Sequence, residues 1–171
     1  MLSDIFSPTK NNGAEHGFAQ VERYAPSTKI PYKQDLISAL KHENRLMLAA
    51  IKLILERIKQ NDVVTVRKLM QELKNAIIER YIKESVLLYT YIKALYKDDE
   101  EKQQLLQELK QEWSGVHAMM MHFLNCYLNK DLIAVDMLPL GKELMVITEV
   151  VMNRIRHEEY KLYPLYLPPP V

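Results

Sequence analysis

The chain has 171 residues, 48% hydrophobic and 26% charged, with a formal net charge of +1. That length suits one domain with a sizeable core, and the near-neutral balance excludes a general field favouring nucleic acid or an anionic membrane. Four glycines argue against a hairpin-rich β protein, and a single cysteine, Cys126, excludes an internal disulfide and reads as a reducing compartment.

Residues 1–31 are polar and aperiodic, punctuated by Pro8, Gly13, Gly17, Pro26 and Pro31. They read as an extended or partly disordered leader with Phe6, Phe18 and Tyr24 as apolar anchors. The first eight residues lack a basic region followed by an apolar one, and no apolar run reaches membrane-spanning length. A soluble, cytoplasmic protein is expected.

Four amphipathic stretches follow. The first spans about Gln34 to Gln60, with the stripe Ile37, Leu40, Asn44, Met47, Ile51, Ile54 and Ile58. Its alternating spacing of three and four is the seam of a bundle helix, and Asn44 is its one polar member. The second spans about Val63 to Tyr96, capped by Asn61 or Asp62, with Val66, Leu69, Leu73, Ala76, Arg80, Glu84, Leu87 and Tyr91 in its stripe. The third, about Asp98 to Leu128, carries Leu106, Leu109, Trp113, Val116, Met120, Phe123 and Tyr127, with His117 at the edge of the seam. The fourth starts between Leu132 and Leu140 and ends near Tyr163, with Leu144, Ile147, Val151, Arg154, Glu158 and Leu162 facing inward. Pro139 suits its first turn, Pro164 stops it, and residues 167–171 form a Pro-rich tail.

The connections are short, which forces antiparallel neighbours. The expected fold is all-α: an up-down-up-down four-helix bundle over residues 32–166.

One phrase occurs twice. Residues 80–89 and 154–163 both read R-x-x-x-E-x-x-x-L-Y. Residues four apart share a helix face, so two helices each present an Arg and a Glu at matching depth. In each the Glu falls where the apolar stripe runs. Buried carboxylates need a metal or a cation beside them.

The chain resembles the hemerythrin-like, or HHE cation-binding, domains from about Ile30 to Tyr166. The resemblance rests on Asp35-Leu36-Ile37 with Leu40-Lys41, on Glu84 with Leu88-Tyr89, and on Arg156-His157-Glu158-Glu159 with Leu162-Tyr163-Pro164. It implies two irons held between four helices by several histidines and two carboxylates. It also implies oxygen binding, iron or oxygen sensing, or a nitric-oxide or iron–sulfur stress response. Asn44 stands where the family's first-helix histidine sits, Arg80 where its second-helix histidine sits, and Arg154 lies one turn before Glu158. The surviving candidate ligands are Glu84, Glu158 and His117. Arginine stays protonated and cannot ligate a metal.

The residues therefore predict a central network of Asn44, Arg80, Glu84, His117, Arg154 and Glu158 in place of a metal centre, with no cofactor. The function expected is a regulatory or sensing module with a protein partner. The alternative that the family implies is a non-haem iron protein using Glu84, Glu158 and His117. A further alternative is an anti-sigma-like regulator of bacterial RNA polymerase, from a weak likeness around Lys41-His42 and the end of the fourth helix. No enzyme is expected, because carboxylates held by arginines should have depressed pKa values and make poor general acids. Cys126 and the run Met119-Met120-Met121 read as packing residues.

Overall fold

The computed structural model describes residues 23–170. The expectations for Phe6, Phe18 and the rest of residues 1–22 lie outside the described residues. The helices are α1 (Leu36–Lys59), α2 (Val63–Lys83), α3 (Thr90–Leu95), α4 (Glu100–Leu128) and α5 (Met137–His157). A π-helical segment, Glu84–Tyr89, joins α2 to α3 into one rod, and a second, Glu158–Leu162, continues α5. The result is four rods, up-down-up-down, in which α1 packs on α2 and α5, and α4 packs on α2 and α5. Among the described residues there is no strand, only the isolated bridge between Tyr24 and Pro31.

Each turn has a local cause. Asn61 takes the left-handed conformation (φ 52°) just past α1, a place where Asn is tolerated because its short polar side chain bonds locally. Asp62 caps α2 by accepting from the Thr65 N–H at 3.1 Å, and Asp99 caps α4 by accepting from the Lys102 N–H at 3.0 Å. Arg67 on α2 donates to the Leu128 and Lys130 carbonyls, 2.7 Å each, and so closes the end of α4. A 3-10 turn at Ala134–Asp136 leads into α5, and Pro139 lies in its first turn, where a missing N–H costs nothing.

The core follows the expected stripes, with local shifts. In α1 the buried set begins at Leu36, with Ile37 half-buried, and in α2 Ile77 is buried in place of Ala76. Beyond Glu84 the buried residues are Leu88, Tyr89, Tyr91 and Ile92, while Leu87 is half-buried. The π segment accounts for that shift, because an i→i+5 turn inserts one residue and rotates everything after it. Cys126 is exposed rather than buried, with its Sγ 3.5 Å from His122 Nε2.

The chain just before α1 is tied to the end of the bundle by tyrosines. Tyr32 stacks on Tyr166 at 5.1 Å, and Tyr91 packs against both rings. Tyr166 Oη accepts from the Lys33 N–H at 2.9 Å, and Tyr91 Oη donates to the Leu167 carbonyl at 2.8 Å. Among the described residues of the leader, Ala25 is buried and Tyr24 is exposed.

Candidate functional site

The repeated phrase delivers its charges to one place. Arg80 and Glu84 come from the end of α2, and Arg154 and Glu158 from the end of α5; all four are buried, as is Asn44 on α1. Glu158 is the hub. Arg80 Nη2 donates to its Oε2 at 2.7 Å, and Arg154 Nε to its Oε1 at 3.3 Å. Tyr163 Oη donates to Oε2 at 2.9 Å, and Asn44 Nδ2 reaches the same oxygen at 3.3 Å. Charge-assisted hydrogen bonds of this kind are about twice as strong as neutral ones.

Glu84 lies between the two guanidinium groups, 3.7 Å from Arg80 Nη2 and 3.9 Å from Arg154 Nη2. No hydrogen bond from the described residues reaches either of its oxygens. Burial, then the neighbouring charge of Glu158, pushes its carboxyl up to about 8, against the pull of Arg80 and Arg154. The expectation that arginine neighbours would depress both carboxylates therefore fails at Glu84. Coulombic attraction at that distance does not offset the loss of water.

The arginines also reach outward. Arg80 Nη1 lies 3.7 Å from Glu43 on α1, which is in turn paired with Lys83. Arg154 Nη1 lies 3.6 Å from Glu112 on α4, which is paired with His157 at 2.8 Å. Both guanidinium groups sit over the Trp113 ring, at 5.9 and 5.4 Å.

The two halves are thus related by an approximate two-fold. Arg80, Lys83, Glu84 and Tyr89 correspond to Arg154, His157, Glu158 and Tyr163. The rim Glu43 corresponds to Glu112, and Asn44 to Trp113. The correspondence breaks at the last pair. Asn44 donates to Glu158, whereas the buried Trp113 Nε1 has no hydrogen-bond partner among the described residues. The tyrosines differ too: Tyr163 donates to a carboxylate, while Tyr89 Oη accepts from Arg154 Nη2 at 3.0 Å. Glu84 is short of donors for these two reasons.

His117, expected in this set, stands apart from it. Its ring is half-buried and stacks on Tyr81 at 4.0 Å, edge-on to Trp113, and its Nε2 has no partner among the described residues. Burial lowers its pKa. Tyr89, Tyr163, Glu43 and Glu112 belong to the network, and the apolar stripes alone do not announce them. The signal for the tyrosines is the L-Y that closes each repeat. In a straight α-helix a residue five past the Glu lies about 140° away, and the π turn brings it back toward the Glu. Tyr163 N–H bonds to the Glu158 carbonyl in this way.

Among the described residues no group of three or more His, Cys, Asp or Glu is arranged to hold a metal ion, and no helix is long and apolar enough to cross a membrane. Comparison with known proteins found a match to the family model described as the hemerythrin HHE cation binding domain, over residues 35–166. No curated protein and no solved structure matches the chain.

Proposed function

The chain belongs to the hemerythrin HHE cation binding domain family, and from that premise we propose that its cation centre has been rebuilt from side chains. Arg80 and Arg154 supply the positive charge that metal ions would bring, and the bundle serves as a non-catalytic sensing or regulatory module. The observation that carries this reading is the pair of contacts on Glu158: one guanidinium on each carboxylate oxygen, at 2.7 and 3.3 Å.

The residues present do not fit a di-iron centre. A ligating carboxylate must turn its lone pairs to the metal, and those of Glu158 are turned to arginine, tyrosine and asparagine donors. A permanent cation within 4 Å of each Glu repels a second cation there. His117, the one imidazole proposed as a ligand, is committed to stacking on Tyr81.

Two features support a regulatory rather than catalytic role. Glu84 and Glu158 are 0% and 1% exposed, so neither meets a substrate in this conformation. A groove of about 1000 Å³ beside the first π segment, lined by Ser85, Tyr89, Thr90, Gln103 and Gln107 among others, reaches Tyr89. A partner or ligand seated there touches the residue that holds Arg154.

The test is the metal content and absorption spectrum of the chain purified from iron-replete cells. Iron far below one equivalent, with no di-iron bands, is the expected result. Near-stoichiometric iron with those bands refutes the proposal.

A further inference from the structure

Helix α5 carries a second apolar stripe that none of the described residues covers. Its inner face is the buried set Met137, Leu140, Leu144, Ile147 and Val151. Its outer face carries Leu138, Met145 and Met152, exposed at 67%, 60% and 39%, with Val146 beside them at 65%. Leu138, Met145 and Met152 are seven residues apart, so they form one line along the helix, one apolar member per heptad. Exposed apolar side chains gathered on one helix face and rimmed by charged residues suit a protein contact surface.

Charges repeat along the same line. Lys142, Glu149 and Arg156 are also seven apart, each four residues after an apolar member. Lys142 and Glu149 are exposed, and among the described residues neither has an ion-pair partner in the chain. Their order is informative. A parallel pairing with a second α5 sets Lys142 against Lys142 and Glu149 against Glu149. An antiparallel pairing centred on Met145 sets Leu138 against Met152 and Lys142 beside Glu149, twice. Moving the centre half a heptad either way brings Lys142 against itself or Glu149 against itself. One register alone satisfies both the apolar and the charged positions.

We propose that this chain self-associates as a closed two-fold dimer through the outer face of α5, with Met145 at the axis and Lys142 of each copy paired with Glu149 of the other. The interface is isologous, because one surface meets itself, so it closes without forming fibres. It lies on the side of α5 away from the arginine–glutamate network and does not depend on the metal content of the bundle.

Sedimentation velocity of the full chain over a concentration series tests this, with circular dichroism confirming that every variant keeps the helical content and melting point of the parent. The expected result is a dimer that M145E weakens by about tenfold or more, the scale of a central interface residue. K142E should weaken it as well, by placing Glu against Glu149 of the other copy, and the swap K142E/E149K should restore it. In a C126S background, M145C should cross-link to itself on mild oxidation. A wild-type chain that stays monomeric at the highest concentration overturns the proposal. So does a dimer indifferent to M145E, a charge swap that fails to rescue, or a monomeric chain whose α5 face is taken by a different protein.

Discussion

Glu84 and Glu158 hold equivalent places in the two halves of the bundle and differ in what reaches them. Four donors converge on Glu158, whereas Glu84 has two guanidinium groups just beyond hydrogen-bond range. Two differences accompany this: Trp113 occupies the place that Asn44 takes in the other half, and Tyr89 accepts from Arg154 where Tyr163 donates to Glu158. The consequence is a carboxyl raised from its usual 4.5 to about 8. A carboxyl raised by folding favours the folded state while protonated. Its contribution is complete below about pH 4.5 and is lost as the pH climbs through about 8. Every tenfold gain in the carboxyl's proton affinity on folding is worth about 1.4 kcal/mol. Denaturant titrations of wild type and E84Q between pH 4.5 and 9 should therefore converge at the acid end. At the alkaline end E84Q should be the more stable, since an amide buries no charge. Parallel pH profiles would show that Glu84 is ionised throughout.

At this scale the sequence is informative where a polar residue interrupts an apolar stripe. Asn44, Arg80, Glu84, Arg154 and Glu158 stand out in that way, and all are buried in one cluster. Glu43 and Glu112 do not, because a surface carboxylate next to the seam looks like any solvated residue until the arginine it meets is known. His117 misleads for a related reason. Its helical position is at the seam edge, but an aromatic neighbour on α2, Tyr81, captures the ring.

The helices themselves are legible from periodicity, and their ends follow caps and prolines. The π segments are not, since apolar spacing through residues 80–91 is compatible with a straight helix. The structure makes them the device that works with the repeated phrase. Each begins at the glutamate and restores the closing tyrosine to the glutamate's side of the rod. A π turn is one residue longer than the α turn it replaces, and this gives a direct test. Deleting the exposed Val86 should convert Glu84–Tyr89 to α-helix while keeping Leu88, Tyr91 and Ile92 inward. Deleting the exposed Glu79 from the straight part of α2 should rotate those residues out of the core. Thermal melts followed by circular dichroism should place the Val86 deletion well above the Glu79 deletion. The reverse order would mean that the segment holds no inserted residue.

For the whole molecule, the four-rod bundle of this family has a polar centre that must be electrically balanced to exist. In the proposed reading two internal arginines provide the balance, backed by a carboxylate at each rim. Buried ion pairs are weak net stabilisers compared with apolar packing. The network is therefore better understood as fixing how the rods meet than as the source of stability, which the stripes of α1, α2, α4 and α5 supply. On the proposed function, guanidinium groups stand where a cation would otherwise bind. Diffraction data collected across the iron absorption edge, from crystals of protein purified with iron present, address it most directly. Continuous side-chain density from Arg80 and Arg154 to Glu158, with no anomalous peak between Glu84 and Glu158, is the predicted result. An anomalous peak between those two carboxylates, with the arginines displaced from them, would contradict it.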